Sequence, residues 1–294
     1  MAKNVISDAI CTVNDFEMVL QRFIEQLTIK GLSEKTIDAY TRNIAQIATY
    51  FKTNPLLLKE KQLDAYLYHL KSTRTGQTAF KLAIYALRSL FEHNGKKALK
   101  NKLPKISQPS RVPVVLSVSE CKKLISTPLK FKERFLIAFM YSSGLRIGEI
   151  ARLRIADIDT DRLQIRVVQG KGAKDRYVPL SYYIAQTLPK YLLMHNPTTW
   201  LFNSSRRGEA FSVRSIQRVV RQAVKDAGIR KEVTAHTFRH SYATHLIEYG
   251  VDLVTIKNVL GHKNIQTTML YLHVAQPKSS GFRNPLDILY NQTQ

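Results

Sequence analysis

Six side chains of the 294-residue sequence carry chemistry and stand in a telling order: Arg146, Lys171, His236, Arg239, His262 and Tyr271, with Glu149 just after the first. A guanidinium is a planar, permanently charged fork that meets two phosphate oxygens at once, as a point charge does not. Where no metal site is visible, two such groups can carry the charge that builds on the equatorial oxygens during phosphoryl transfer. A phenol, with a pKa near ~10, attacks at neutral pH only beside a positive pocket or a base. Two arginines and two histidines make such a pocket. Taken singly, each residue has a plain structural explanation. Arg146 suits a helix start, Lys171 a solvated turn, and Tyr271 is one of 14 tyrosines. Those explanations do not cover the whole set in this order.

The local wording is Ser143-Gly-Leu-Arg146-Ile-Gly-Glu149, Gly170-Lys171-Gly172, Thr234-Ala-His236-Thr-Phe-Arg239-His240-Ser241, Leu260-Gly261-His262 and finally Tyr271. His236 and Arg239 lie three apart and share a helix face. From His262 to Tyr271 is about two and a half helical turns, so the two reach one pocket only if the helix breaks between them. Asn264 can cap the new helix. Other motifs fail. Asp157-x-Asp159-x-Asp161 opens like a calcium loop, but Arg162 and Val168 stand where that loop needs Gly and Glu, so it reads as a turn. Gly170-Lys171-Gly172 has the spacing of neither a Walker loop nor a dinucleotide fingerprint. His236 and His240 lack a third metal ligand at recognisable spacing. No metal and no cofactor is expected.

The elements that must position these residues follow from apolar spacing. Phe16, Val19, Leu20, Phe23, Ile24 and Leu27 form one helix face, which Gly31 stops. Ser33 caps a second helix carrying Ile37, Tyr40, Ile44, Ile47 and Phe51, and Asn54-Pro55 breaks it. Leu63, Leu67 and Leu70 mark a third helix. Phe80, Ile84, Leu87 and Phe91 mark a fourth. Residues 1–95 thus read as a helical bundle, and the lysine- and proline-rich stretch 96–112 as a basic linker. The second module, 113–294, opens with a Ser117/Glu120 capping box. An apolar helix then ends at Ser142-Ser143-Gly144, and a short one starts near Arg146. Leu163, Ile165 and Val167 alternate into a hairpin that returns through Tyr177-Val178-Pro179. Helices follow over 182–195, 212–227, 235–248, 252–260 and 264–272. Asn284-Pro285 starts a last apolar segment. The expected fold is mainly α with a small antiparallel β-hairpin or sheet.

Lys and Arg number 45 against 22 Asp and Glu, a net charge of +23. The surplus is spread over both halves, which predicts two modules gripping one polyanion rather than a basic tail. No apolar run approaches the ~18–20 residues of a membrane span, and the start lacks a signal-peptide pattern. Two distant cysteines suit a reducing cytoplasm and exclude a disulfide framework.

The ordered motifs resemble the tyrosine recombinases, the phage-integrase superfamily. That family's signature is an Arg in a Gly-Leu-Arg-x-x-Glu context, a hairpin Lys, His-x-x-Arg, Leu-Gly-His and a downstream Tyr, all present here. The resemblance implies a helical core-binding domain over 1–95 and a catalytic domain over 113–294. It makes Tyr271 the nucleophile, leaving a 3′-phosphotyrosyl link and a free 5′-hydroxyl. Arg146 and Arg239 would grip the scissile phosphate, His236 and His262 complete the pocket, Lys171 act as general acid, and Glu149 support the site from behind. It further implies a tetramer of this chain, alone or with a related recombinase, on paired sites in double-stranded DNA. Strands would be exchanged through a Holliday junction, with the tail 280–294 docking on a neighbour. Arg283-Asn-Pro-Leu-Asp287 is similar to the tail of integron integrases. The 180–235 stretch is too short for that subfamily's insertion, and the chain too short for a separate arm-binding domain. The expectation is a compact Xer-like or transposon-type member, cytoplasmic, with no membrane association. An inactive DNA-binding regulator and a type IB topoisomerase-like relaxing enzyme are the alternatives.

Overall fold

The computed structural model describes residues 2–73, 77–106, 112–168, 175–204, 208–272 and 274–275. Lys171 and the tail 280–294 lie outside the described residues. The chain divides into two compact units, Met1–Pro109 and Ser110–Gln294.

The first unit contains helices α1 (Ala2–Thr12), α2 (Phe16–Ile29), α3 (Glu34–Phe51), α4 (Glu60–Ser72), α5 (Gln77–His93) and α6 (Lys97–Lys102). Its core is built from the faces the spacing predicts: Phe16, Leu20, Phe23 and Leu27 of α2, Ile44 and Ile47 of α3, Leu63 and Leu67 of α4, and Ile84, Leu87 and Phe91 of α5. The stop and start signals act as read. Gly31 adopts a φ of +72°, and Ser33 Oγ accepts from Thr36 N. Two elements were not expected. Helix α1 packs on α3, and Ala9 with Val13 just past its end are buried in the core, an apolar stripe short enough to pass unnoticed among polar neighbours. Helix α6 lies inside the stretch read as linker. Leu103 is buried in the first core with Leu99 packed against it, while Arg88 donates to the carbonyls of Leu103 and Pro104 at 3.1 and 2.8 Å. Two leucines four apart on a lysine-rich background are enough to bring that stretch into the core.

The second unit runs α7 (Val118–Ser126), α8 (Phe131–Ser143), α9 (Ile147–Ala151), β1 (Ile158–Asp159), β2 (Gln164–Val167), β3 (Arg176–Pro179), α10 (Tyr182–His195), α11 (Val213–Asp226), α12 (Ala235–Glu248), α13 (Leu253–Leu260) and α14 (Ile265–Met269). Helix α8 is the central pillar. Phe135 to Met140 are all buried, and α7, α10 and α12 pack around them. The Ser117/Glu120 capping box forms with both reciprocal bonds, at 3.1 and 2.7 Å. The hairpin is one side of a three-stranded antiparallel sheet in the order β1-β2-β3, with Ile165 opposite Val178. Ile165, Val167 and Val178 point into the core. Strand β1 has two residues, too few to show alternation in sequence. Among the described residues no helix is long and apolar enough to cross a membrane.

Candidate active site

Helix α8 ends at Gly144, whose φ is +58° and whose missing side chain makes room for the Tyr242 ring. That turn delivers Arg146 to the N-cap of α9. Glu149, one turn on, accepts from Arg146 N at 2.8 Å and Arg146 Nη1 at 3.0 Å. The same carboxylate takes both terminal nitrogens of Arg176 at 3.0 and 2.9 Å, a bidentate pair. Arg176 Nε also donates to Val259 O at 3.0 Å, so one guanidinium ties β3 to α9 and to the last turn of α13.

The two phosphate-gripping candidates converge on helix ends. Arg146 Nη2 donates to Gly261 O at 3.1 Å. Arg239 is 3 % exposed and donates to Gly144 O at 2.8 Å and Leu260 O at 2.6 Å. These carbonyls lie at the C-terminal ends of α8 and α13, where the helix dipole is negative and favours a cation. Helix α13 stops at Gly261, φ +66°, where a Cβ would stand 2.9 Å from Arg176 Nε. His262 follows, its Nδ1 at 2.9 Å from Thr268 Oγ1. Asn264 Oδ1 accepts from Gln266 N at 3.0 Å and starts α14. The expected break is therefore present, and it lets the His262 and Tyr271 rings stack with centroids 6.2 Å apart. Tyr271 is 3 % exposed, and its hydroxyl lies 3.0 Å from His240 Nδ1. His240 in turn stacks with His236 at 6.1 Å.

The charges are arranged accordingly. Burial and the Arg146 charge pull Arg239 down to about 10. Burial lowers His236 below its ordinary value, and Arg239 and Arg146 add to the effect. His240 falls to about 4 through burial, His236 and Arg239. His262 falls to about 4 through burial and the charges of Arg239, Arg146 and Arg176. Burial raises Tyr271, while Arg239 and Arg146 oppose the rise. For Glu149, burial favours the neutral acid, but the Arg176 and Arg146 hydrogen bonds and charges outweigh it and hold the carboxyl below its usual range. The resting pocket thus pairs charged arginines with neutral imidazoles and a neutral phenol. Among the described residues no group of three or more His, Cys, Asp or Glu could hold a metal ion.

Of the expected residues, Arg146, Glu149, His236, Arg239, His262 and Tyr271 gather here, and Lys171 lies outside the described residues. Three participants were missed. In the sequence His240 reads only as a possible metal partner of His236, yet its Nδ1 lies within hydrogen-bonding distance of the Tyr271 hydroxyl. Thr268 orients His262. Arg176 had a readable signal: it shares a strand face with buried Val178, and an arginine on an inward face requires an acid.

Comparison with known proteins agrees with this picture. The phage integrase family model matches residues 115–278, and the phage integrase N-terminal SAM-like domain matches residues 19–101. A tyrosine recombinase of Pseudothermotoga lettingae is 31% identical over 284 residues, 92% of this chain and 98% of that protein. Tyrosine recombinase XerA of Thermococcus kodakarensis is 34% identical over 263 residues, 87% of this chain and 90% of that protein. A crystal structure of XerA recombinase aligns with a TM-score of 0.52 at 29% identity, over 94% of this chain and 98% of that one. A lambda integrase fragment crystallised as a dimer on a core site shares the fold with a TM-score of 0.71 at 20% identity, over 91% and 98% of the two chains. With the family model spanning the whole cluster from Arg146 to Tyr271, this chain belongs to the phage integrase family as a tyrosine-type site-specific recombinase.

Proposed function

We propose that this recombinase cuts and rejoins duplex DNA through a covalent bond between Tyr271 and the 3′-phosphate of the cut strand. The carrying observation is the placement of the Tyr271 hydroxyl, buried beside Arg239 and hydrogen-bonded within a cluster of histidines. Arg146 and Arg239 grip the scissile phosphate and stabilise the charge that grows on its oxygens. Both are already held by backbone carbonyls, so little reorganisation accompanies the reaction. His236 and His262 line the same phosphate pocket. Tyr271 Oη bonds to phosphorus as the bond to the 5′-oxygen breaks, and Lys171 protonates that oxygen. Rejoining reverses the step. The phosphotyrosyl bond conserves the energy of the phosphodiester, so no nucleotide cofactor is required.

Duplex DNA as the partner is supported by the +23 charge and by an exposed stripe of Arg214, Arg218, Arg221 and Lys225 on α11. The helical unit Met1–Pro109, α6 included, serves as a core-binding domain, and the second unit holds the catalytic domain over 113–294. A lambda integrase has been crystallised as a tetramer on a Holliday junction. The same assembly is proposed for this chain, on paired specific sites, with the segment 280–294 docking on a neighbouring copy. The setting is the cytoplasm, where the DNA is.

The test is a nicked duplex bearing the binding site selected from random DNA. Wild type should leave a protein–DNA adduct that survives denaturation, and Tyr271→Phe should leave none. An adduct persisting in Tyr271→Phe removes the assignment. Lys171→Ala should slow cleavage, with recovery on a substrate whose leaving group needs no proton.

A further inference from the structure

Tyr271 has a proton to lose before it can form a bond to phosphorus, and its hydroxyl is buried away from bulk water. His240 Nδ1 lies within hydrogen-bonding reach of that oxygen, at 3.0 Å, with ring centroids 5.6 Å apart, whereas Arg239, which also bonds the hydroxyl, is a donor with no lone pair to take a proton. We propose that His240 is the base that takes the Tyr271 proton. The proposal rests on the nucleophilic role of Tyr271 given above and adds the fate of its proton. His240 follows Arg239 directly and lies one helical turn after His236, so the turn of α12 that aims a guanidinium at the phosphate also aims an imidazole at the nucleophile.

The surroundings of His240 set when it can act. His236 and Arg239 face it from α12, and Tyr271 faces it from the end of α14. His262, a neutral imidazole stacked on Tyr271, lies on the other side of the phenol. Glu232 lines a cavity of about 320 Å³ that also borders His240 and Tyr271. Before DNA arrives, burial and the neighbouring cations keep the imidazole neutral, the form with a lone pair to offer. A phosphodiester seated between Arg146 and Arg239 adds negative charge, which raises the basicity of a nearby imidazole. The base therefore strengthens when the substrate is present.

The step balances. The Tyr271 O–H bond breaks and its proton moves to His240 Nδ1. The oxygen's electron pair forms the bond to phosphorus. The bond from phosphorus to the 5′-oxygen breaks with its pair on oxygen, which takes a proton from the separate acid. In rejoining, the proton on Nδ1 returns to Oη. Holding the phenol and holding its proton are distinct duties, and asparagine can perform only the first.

The experiment measures single-turnover adduct formation on the selected nicked duplex for wild type, His240→Leu and His240→Asn, each with tyrosine or 3-fluorotyrosine at position 271. His240→Leu should be slower by about 10²-fold or more, the scale of general base catalysis, and His240→Asn should stay close to it. Fluorination, which makes the phenol more acidic, should recover much of both losses and change wild type little. A His240→Asn rate equal to wild type, a His240→Leu rate at or above it, or a loss indifferent to fluorination each overturns the proposal. In parallel, nitrogen NMR of the full-length, DNA-free protein labelled in histidine reads the ring of His240. The proton is expected on Nε2, and a proton on Nδ1 at neutral pH also overturns it. A wild type that forms no adduct would defeat the proposed function instead, leaving the NMR result to decide whether His240 can accept the phenolic proton.

Discussion

Replacing Glu149 by Gln should destabilise the second unit through one nearly buried ion cluster. The carboxylate side chain is 13 % exposed, and the Arg176 side chain 10 %. Four hydrogen bonds reach Glu149, two from Arg176 at 3.0 and 2.9 Å and two from Arg146 at 3.0 and 2.8 Å. Removing one partner of a buried pair leaves the other charge uncompensated and costs about 3–5 kcal/mol. Gln keeps the shape and one acceptor, which points to the lower end, about 3 kcal/mol. At roughly 2–4 °C per kcal/mol for a unit of this size, Tm should fall by about 6–12 °C. Arg176→Gln should cost a similar amount, and the double variant clearly less than the sum, because it removes the buried Arg176 charge together with the carboxylate and leaves only Arg146, whose side chain is 39 % exposed. A coupling of about 1–3 kcal/mol is expected from the cycle. The contribution of Glu149 also has a pH signature. Its folded pKa is depressed, so its stabilisation is present above the ordinary 4.5 and lost as pH falls through the lower folded value. Thermal melts of the full chain at neutral pH decide the matter. A shift below about 2 °C for Glu149→Gln, or strict additivity in the cycle, refutes the electrostatic reading.

Two further predictions test neighbouring features. Gly261→Ala places a Cβ at φ +66° and 2.9 Å from Arg176 Nε, so both Tm and the cleavage rate should drop, whereas Gly148→Ala, which meets open space, should be tolerated. Equal behaviour of the two variants in melts and adduct assays would contradict this. His240 and His262 are both held down to about 4 from the ordinary 6.5. Between those values the unfolded chain binds protons that the native one does not, so stability should rise with pH from about 4 to 6.5 and fall on acidification. Denaturant melts across that range should show the slope, and His262→Gln should flatten it.

What the sequence made legible was mostly local. Caps and stops such as Ser33, Ser117, Gly144 and Asn264 act on backbone within a few residues, so their chemistry can be read in place. Arg146, Arg239 and Tyr271 were readable because their motifs stand in a fixed order. The contacts that complete the pocket cross the fold. Arg176 meets Glu149 from 27 residues away, and Tyr271 meets His240 across 31. Neither pairing has a local spacing rule. Helix α6 is hidden in the sequence because its lysine content outweighs Leu99 and Leu103 in a window where burial needs only a narrow stripe.

Arg239 has a consequence beyond chemistry. Its guanidinium bridges the carbonyls of Gly144 and Leu260, at the ends of two helices distant in sequence. Fraying at either end would strip a partner from a side chain that is 3 % exposed. The last turns of α8 and α13 are therefore joined into one cooperative opening unit, and their amide protons should exchange with solvent together. The site keeps its grip on charge for as long as that unit stays closed, and thermal motion cannot loosen one half of the pocket while sparing the other.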